Sequence, residues 1–373
     1  MIGAVAGVDL VIVGGGMIGL AIAYEASARG VAIEVVERGR LGSGAAVRAA
    51  AGVLSPSDPC EWDGDLGRYN AEAIALWPAW AEALERDAER PSGFRRLGEL
   101  RVGDAEHEEF VEAAVRGAER FGWRCERVDA ADVERLAPGV RVDDHPAVHL
   151  ADAAAVDTGL LVEALAAACE RRGVTITTGV AVERVARGSD GRHEVELSDG
   201  SRRSAEHVVV STGAWLSKLW PGGAVRPMLG ESLLVRTPDG SGPGLMVRSP
   251  RGSIVPRGEG RYWLGTTLLD RGFQAYPSLG SVSEIAANAI RLVPKLAEAA
   301  FLEARSGLRP ASPDGLPVLG RVDDGVVVAG GHGREGIIHA PLCARGVVAG
   351  VLDGDWSQVP GRFRPAAPGR ASA

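Results

Sequence analysis

Cysteine is scarce in this sequence, and no regular spacing connects its few copies. The four cysteines are Cys60, Cys125, Cys169 and Cys343, and none of them belongs to a C-x-x-C motif. The sequence therefore indicates neither a disulfide framework nor a zinc site, and it predicts no metal ligands. We expect these thiols to be buried or incidental.

Long hydrophobic runs are also missing. Residues 10–23 are apolar or glycine, but Asp9 precedes them, no basic segment does, and four glycines interrupt them. They therefore lack the composition of a secretory signal. No other stretch approaches the run of about 18 apolar residues that is typical of a membrane helix. We expect a cytoplasmic protein that does not enter a membrane.

An excess of positive charge is absent as well. The chain has 49 acidic and 41 basic residues and a net charge of −8, which argues against a nucleic-acid partner or an anionic membrane surface. A small molecule is the expected partner. The length of 373 residues suggests about two domains, or one large domain with an inserted lobe.

Glycine, in contrast, is abundant. The 51 glycines are nearly twice the usual share of about 7%, and they follow no collagen-like period. Glycine permits tight turns and a close approach of the main chain to a ligand. Near the N-terminus, three consecutive glycines lie between a predicted strand at residues 8–13 and a predicted helix at residues 17–28, and a second strand is predicted at residues 32–36.

These N-terminal glycines fit a dinucleotide-binding pattern. Gly14, Gly16 and Gly19 match G-x-G-x-x-G between a strand and a helix. The first glycine permits the turn, the second lets the backbone approach a pyrophosphate, and the third lets the helix pack on the strand. Glu37, eighteen residues after Gly19, is placed to accept hydrogen bonds from ribose hydroxyls. FAD and NAD both remain possible ligands of such a turn.

The next stretch helps to choose between these cofactors. Residues 42–52 are glycine, alanine and serine apart from Val47 and Arg48, whereas a simple NAD dehydrogenase would continue into another βα unit. The stretch is either an alanine-rich linker or a strand-free passage whose backbone lies against a flavin ring, where only small side chains fit. We favour the second interpretation and therefore FAD.

Hydrophobic periodicity predicts further elements. The predicted helices are residues 69–88, 106–121, 159–171 and 336–352. The predicted strands are residues 98–102, at a sheet edge, and 174–177, 208–211, 227–236, 262–267 and 326–329. The predicted fold class is α/β: a Rossmann-like FAD-binding domain with an inserted substrate domain, an α+β lobe built on a mixed or antiparallel sheet. The FAD-binding domain is predicted at residues 1–90, 145–225 and 305–360, the substrate domain at residues 91–144 and 226–304, and a flexible tail at residues 361–373.

Two blocks near the C-terminus carry a family resemblance. Residues 307–320 read G-L-R-P-x-x-x-D-G-x-P-x-x-G, and residues 331–337 read G-H-x-R-x-G-I. Together with the N-terminal glycines, they resemble the D-amino-acid-oxidase-like flavoproteins, in particular the glycine oxidases of thiamine biosynthesis. The resemblance extends over residues 9–363. It implies an FAD-dependent enzyme that oxidises an amino acid or amine.

Two arginines are the candidate catalytic and substrate-binding residues. Arg309 is expected in a turn bounded by glycine and proline, where its guanidinium can hold a carboxylate through two charge-assisted hydrogen bonds. In the family, the arginine of this motif binds the substrate carboxylate. A salt bridge at the surface or between lobes is the alternative for Arg309. The resemblance also places Arg334 at the substrate, and simple exposure on a glycine-rich loop is its alternative.

The cofactor is expected to contact several segments of the chain. A helix beginning near residues 332–338 would direct its N-terminal amides at the flavin and stabilise negative charge on it. No cysteine lies near Gly307, where the related sarcosine oxidases attach their flavin, so the FAD is expected to be non-covalent. The predicted FAD-binding residues are Gly14, Gly16, Met17, Ile18, Gly19, Glu37, Arg38, Arg48, Ala50, Ala51, Gly52, Val180, Thr212, Gly213, His332, Gly333, Glu335, Gly336, Ile337 and Ile338.

The predicted substrate pocket differs from that of the family. Ser253 occupies the place of a tyrosine before an I-V-P-R strand, and Val53 and Leu268 occupy the places of pocket methionines. The resemblance implies that these three residues contact the substrate. These replacements remove bulk from the pocket wall, so the substrate could be larger than glycine.

The resemblance implies an FAD-dependent oxidase of a small amino acid or an N-substituted glycine. Such an enzyme transfers a hydride to flavin, releases an imine that hydrolyses, and reduces O2 to hydrogen peroxide. The alternatives are a secondary-metabolism flavoenzyme that oxidises a larger amine or hydrazine-type acid, a flavin dehydrogenase with a quinone or protein acceptor, and a flavin-binding module without amine chemistry. The family also suggests a homo-oligomer.

Overall fold

A computed structural model of the protein describes residues 7–42, 44–55, 64–104, 106–142, 145–222 and 224–365. Its helices are α1 (Met17–Ser27), α2 (Ala46–Ala49), α3 (Asp65–Ala88), α4 (Glu109–Phe121), α5 (Ala130–Leu136), α6 (Thr158–Arg171), α7 (Leu216–Leu219), α8 (Leu279–Leu292) and α9 (Gly336–Leu352). Short 3₁₀ turns lie at Gly213–Trp215, Pro294–Glu298 and Gly361–Phe363.

The strands follow in chain order. They are β1 (Gly7–Val13), β2 (Ile33–Glu37), β3 (Val53–Leu54), β4 (Phe94–Arg96), β5 (Glu99–Val102), β6 (Cys125–Val128), β7 (Ala147–Leu150), β8 (Ala154–Val156), β9 (Thr175–Thr178), β10 (Val182–Arg187), β11 (His193–Leu197), β12 (Arg202–Val210), β13 (Arg226–Arg236), β14 (Met246–Ser249), β15 (Gly252–Gly258), β16 (Arg261–Gly265), β17 (Ala300–Ala311), β18 (Val318–Asp323) and β19 (Val326–Gly330).

The first sheet has β1 near its centre. Its order is β10-β11-β12-β1-β2-β9, and β19 joins β12 and carries β18. The pairs of β1 with β12 and β2 are parallel, as are β2 with β9 and β12 with β19. Helices α1, α3, α6 and α9 pack against one another in its largest core. The continuous apolar run in β1 is typical of a parallel strand that is covered on both faces.

The second sheet is mixed and mostly antiparallel. Its order is β17-β13-β16-β15-β14-β5-β7-β6, with a parallel pair between β14 and β5, and α8 packs on it. A small third sheet joins β3, β8 and β4. The predicted α/β fold with a second mixed or antiparallel sheet is confirmed.

Several details differ from the sequence predictions. Strand β5 lies between β14 and β7, so its predicted place at a sheet edge is wrong. Strand β7 pairs within the second sheet although it follows the boundary predicted at residue 145, and β17 runs through the boundary predicted at residue 305. The division into domains therefore does not coincide with the strand pairing at these two points.

The chain end also differs from its prediction as far as the structure describes it. Phe363 is 1% exposed, and its ring meets Tyr69 of α3 edge to face, with ring centroids 5.2 Å apart. Phe363, within the predicted tail, is therefore packed against α3, and residues 366–373 lie outside the described residues. Among the described helices, none has the length and apolarity to cross a bilayer.

Candidate active site

A cavity of about 590 Å³ lies where the two sheets meet. Its wall includes the turn after β1, the start of α1, helix α2, the adjoining ends of β13 and β17, and the start of α9. The sites predicted from distant parts of the sequence therefore come together here. The predicted residues that line it are Gly14, Gly16, Met17, Ile18, Glu37, Arg38, Ala50, Thr212, Gly213, Arg309, His332, Gly333, Arg334, Gly336 and Ile337.

Close packing around the turn after β1 leaves no room for side chains at two glycines. Gly14 has a φ of +108°, and a Cβ there would lie 2.7 Å from the carbonyl oxygen of Ser211. A Cβ on Gly19 would overlap the carbonyl oxygen of Gly14, so this residue lies behind the turn and not on the cavity. Helix α1 begins directly after Gly16. Its free N–H groups and the positive end of its dipole therefore face the cavity, as an anionic group requires.

Glu37 supports this turn from the end of β2. Its Oε2 accepts a hydrogen bond from the Gly15 N–H at 2.8 Å, and its Oε1 accepts one from the Gly39 N–H at 3.0 Å. A carboxylate has lone pairs for further donors, and Glu37 also lines the cavity. Next to it, the Arg38 guanidinium lies 3.6 Å from the centre of the Trp215 ring. Arg38 and Trp215 therefore line the cavity side by side.

The small-residue stretch forms a short helix against the cavity. Helix α2 and the residues beside it line the wall and lead into β3, so the stretch contains a helix and is neither an open linker nor wholly without regular structure. Three side chains of the second sheet bind its carbonyl oxygens: Ser232 Oγ donates to Ala49 at 2.8 Å, Arg257 Nη2 to Ala51 at 2.6 Å, and Arg305 Nη1 to Arg48 at 3.3 Å.

Two glycines face each other across β13 and β17 at the cavity wall. Gly230 and Gly307 are register partners. A Cβ on Gly307 would lie 3.1 Å from the Ala46 Cα and from the Ala49 Cβ, so the missing side chain lets α2 approach. A Cβ on Gly230 would overlap the guanidinium of Arg309. The glycine pair therefore makes room for α2 and for the arginine.

Arg309 lies in strand β17, opposite Met228, and its predicted place in a turn is wrong. Its Nη1 donates to the Thr267 carbonyl at 2.8 Å, and its Nη2 donates to Thr266 Oγ1 at 3.0 Å. Burial and the nearby charge of Arg334 lower the pKa of Arg309 to about 10. It forms no ion pair with any described residue, which argues against the salt-bridge alternative.

Arg334 lines the same cavity from the loop before α9, and its side chain is exposed. Its charge acts on Arg309, since it is one cause of the lowered pKa of that guanidinium. Two cationic groups therefore lie at this end of the cavity. A carboxylate bound here would offset their repulsion and accept hydrogen bonds from a guanidinium fork.

Buried polar groups without protein partners mark the wall near α9. His332 is 3% exposed, and neither ring nitrogen has a hydrogen-bond partner in the described part of the chain. Burial lowers the pKa of His332 to about 3. Within the same described ranges, the buried Thr212 Oγ1 also lacks a partner. Because buried polar atoms are normally paired, these groups fit a polar ligand in the cavity.

Ten predicted residues lie outside the cavity lining: Gly19, Arg48, Ala51, Gly52, Val180, Glu335 and Ile338 among the cofactor residues, and Val53, Ser253 and Leu268 among the substrate residues. Ser253 Oγ donates to the Gly265 carbonyl at 3.2 Å, Val53 lies in β3 beside a core cluster, and Leu268 is 54% exposed. The substrate roles predicted for these three have no support from their positions.

Sequence reasoning missed several lining residues: Ala181, Val182, Glu183, Trp215, Lys218, Leu219, Gly230 and Gly307. Gly307 was visible within the G-L-R-P block, and Trp215 and Lys218 follow the recognised Thr212-Gly213 pair closely. For Gly230, the only signal was a glycine inside a predicted strand, which indicates a close approach of another group.

Comparisons with known proteins agree with this geometry. The sequence model "DAO: FAD dependent oxidoreductase" matches residues 9–349. The bifunctional protein ThiO/ThiG of Nostoc sp. is 32% identical over 342 residues, which are 90% of this chain and 51% of that protein. The chain thus spans about half the length of this relative. Glycine oxidase of Geobacillus kaustophilus is 30% identical over 352 residues, 90% of each chain.

Solved structures show the same fold. The crystal structure of glycine oxidase from Geobacillus kaustophilus has a TM-score of 0.87 and 28% identity, and the match covers 96% of this chain and 98% of that one. Iminodiacetate oxidase from Chelativorans sp. BNC1 has a TM-score of 0.84 and 25% identity, with coverage of 96% and 100%.

Proposed function

Because the chain belongs to the DAO family of FAD-dependent oxidoreductases, we propose that it oxidises a small amino acid or an N-substituted glycine at the carbon that bears the amine. The observation that carries this proposal is the buried guanidinium of Arg309 at the cavity wall, held by neutral acceptors and beside Arg334. A carboxylate is the group that such an arrangement binds best. The glycine oxidase relatives support the same substrate class.

The cavity residues fit FAD. The turn at Gly14 and Gly16 and the N-terminus of α1 would hold the diphosphate, and Glu37 would accept hydrogen bonds from the ribose. Thr212 and His332 offer polar atoms that lack protein partners within the described residues. We propose that FAD is bound without a covalent link, since none of the described cysteines lines the cavity.

When bound, FAD would supply the two-electron chemistry of the reaction, as the acceptor of the hydride from the carbon that bears the amine and the donor of two electrons to O2, which gives hydrogen peroxide. Arg309 and Arg334 bind the carboxylate and so orient that carbon, which lowers the entropic part of the barrier. The N-terminal amides of α9 stabilise negative charge at the cavity. With a pKa of about 3, His332 is a weak base, and solvent is the proton acceptor that we propose for the amine.

A substrate with a second carboxylate is a further candidate. Arg334 is a second cation on the cavity wall, with an exposed side chain. The similarity to iminodiacetate oxidase supports an N-carboxymethylated glycine as one such substrate. Comparing iminodiacetate with sarcosine would separate the two cases. If Arg334 binds the second carboxylate, Arg334→Ala raises the KM of iminodiacetate more than that of sarcosine, and if Arg334 shares the first carboxylate with Arg309, it raises both KM values equally.

The main experiment is anaerobic reduction of the FAD-loaded protein by glycine, sarcosine, D-alanine and related N-substituted glycines. We expect at least one of them to bleach the visible absorbance of FAD, and readmitted air to yield hydrogen peroxide. Arg309→Ala should retain FAD and lose bleaching. Arg226→Ala, which removes an exposed arginine of β13 that pairs with Asp270, should behave like the wild type. If every compound fails with the wild-type protein, the proposal is wrong.

The electron acceptor is tested separately. An oxidase should consume oxygen at a rate comparable to its reduction of an artificial dye. A dehydrogenase with a quinone or protein acceptor should reduce the dye much faster than it consumes oxygen. A slow oxygen reaction would therefore contradict the oxidase assignment while preserving the amine chemistry.

A further inference from the structure

A buried carboxylate lies behind Arg309. Glu231 of β13 is 1% exposed. Its Oε1 accepts a hydrogen bond from the Ser278 N–H at 2.6 Å, and its Oε2 accepts one from Thr267 Oγ1 at 2.9 Å. Burial raises the pKa of Glu231, but hydrogen bonds from Ser281, Ser278 and Thr267 lower it by more than burial raises it. The pKa therefore lies below its ordinary value. The group is therefore an anion at neutral pH that neutral donors stabilise.

Thr267 connects this carboxylate with the arginine. The Glu231 N–H donates to Thr267 Oγ1 at 3.0 Å, and the Thr267 N–H donates to the Glu231 carbonyl at 3.4 Å. Glu231 thus binds both the side chain and the backbone of Thr267. The carbonyl of the same threonine accepts the hydrogen bond from Arg309 Nη1. The position of Glu231 therefore determines where that carbonyl holds the guanidinium.

The same carboxylate fixes both ends of a loop. Residues 266–278 connect β16 to α8, and Thr267 and Ser278 lie near the two ends. Their contacts with Glu231 close this loop at its base, while Phe273 and Tyr276 within it are exposed. A pair of backbone hydrogen bonds between Leu229 and Leu269 adds to the closure.

We infer that Glu231 is a positioning residue for substrate binding, acting through Thr267 to hold the Arg309 guanidinium toward the carboxylate of the substrate. The inference rests on the proposed function, because it assumes that Arg309 binds a carboxylate. Two of the five donors of this guanidinium are used by Thr267 and Thr266. Because the guanidinium is planar and rigid, these two hydrogen bonds also fix the direction of its remaining N–H donors. A shift of the Thr267 carbonyl would therefore move all of these donors away from the substrate carboxylate.

The test is the affinity of the FAD-loaded protein for acetate, measured by calorimetry and by the change in FAD absorbance. Glu231→Gln keeps the size of the side chain but replaces an acceptor with an amide. We expect the Kd of acetate to rise at least about tenfold, and the Kd of FAD to stay within about twofold. In turnover, the KM of the amino acid should rise more than kcat falls, whereas the KM of an amide analogue without a carboxylate should not change.

Substitutions at Thr267 test the connection even if Glu231→Gln folds poorly. Thr267→Val removes the hydroxyl and should weaken acetate binding, while Thr267→Ser keeps it and should restore the wild-type Kd. Glu34→Gln is the matched control, because Glu34 is a buried carboxylate of β2 that binds Arg203 in the first sheet. It should lower thermal stability without changing the Kd of acetate.

The outcomes separate the inference from the proposed function. Wild-type acetate affinity in both Glu231→Gln and Thr267→Val would overturn the positioning role of Glu231 and leave the proposed function intact. A wild-type protein that binds no small carboxylate and is bleached by no amino acid would overturn the proposed function, and the inference with it. An equal rise in Kd for Glu34→Gln would also overturn the inference, since general destabilisation would then explain the effect.

Discussion

At the scale of single residues, the missing side chains of Gly230 and Gly307 determine what the cavity wall can hold. The two residues are partners in adjacent strands, yet one faces a guanidinium and the other faces α2. The same substitution at the two positions should therefore have different effects, which makes each variant a control for the other.

We expect Gly230→Ala to weaken carboxylate binding at least about tenfold, because the new methyl group displaces the guanidinium of Arg309. We expect Gly307→Ala to weaken FAD binding instead, because its methyl group presses on Ala46 and Ala49. The measurements are the Kd of acetate and the Kd of FAD for both proteins. Equal loss of both ligands in the two variants would contradict this assignment.

The buried histidines should make stability depend on pH. Burial lowers the pKa of His332 to about 3, and burial together with His332 lowers the pKa of His339 well below its ordinary value. An unfolded histidine has a pKa of about 6.5, so the unfolded state binds more protons between these values. The free energy of unfolding therefore falls with the pH below about 6.5, and His332 accounts for about 2 kcal/mol of this fall at pH 5.

His332→Asn should reduce the fall in the free energy of unfolding between pH 6.5 and pH 5 by about 1.6 kcal/mol, as measured by denaturant unfolding of the FAD-loaded protein. A wild-type protein whose unfolding free energy does not fall between pH 6.5 and pH 5 would refute the buried neutral state of these rings.

At the scale of elements, the segment around α2 depends on the second sheet. Arg257 is buried, donates to the Ala51 carbonyl and lies next to Gly52, and burial lowers its pKa to about 10. We expect Arg257→Leu to weaken FAD binding about tenfold or more, since it removes a charge-assisted hydrogen bond that holds the cavity wall. Equilibrium dialysis of FAD measures the effect.

The control is Arg261→Leu, in the neighbouring strand β16. Arg261 is exposed, and its ion pair is with the exposed Glu259, a type of contact that contributes little. It should keep the wild-type affinity for FAD. If both variants lose FAD equally, the loss comes from general damage to the second sheet and not from the contact with Ala51.

Helices and strands whose position depends only on neighbouring residues could be predicted from the sequence. Helix α9 has the predicted bounds, residues 336–352, because its apolar run begins after glycine. Strand β5 was predicted at a sheet edge, and it lies inside the second sheet although Glu99 and Arg101 are charged. In the structure these two buried groups pair at 2.7 Å within the sheet. Arg309 was misplaced in a turn because Pro310 follows it, and an edge strand such as β17 tolerates proline.

At the scale of the whole molecule, the two halves of the site differ in how far the sequence could predict them. The glycine turn and Glu37 follow one another within a single strand-turn-helix-strand unit, so a local motif identifies them. Gly230 reaches the cavity only because the second sheet packs beside the first. The geometry at Arg309 likewise depends on a loop that begins near Thr266 and is closed by Glu231.

Because residues from both sheets line the cavity, a ligand that fills it should stabilise the whole chain. FAD at about 100 times its Kd should raise the free energy of unfolding by about 2.7 kcal/mol. For a chain of 373 residues, this corresponds to a rise in Tm of about 3–4 °C. NAD shares the adenosine diphosphate half but lacks the flavin that we expect to lie near α2 and Arg309, so it should give a much smaller rise at the same concentration. Equal shifts with FAD and NAD would mean that the binding energy comes from the glycine turn alone and that the second sheet does not contribute to holding the cofactor.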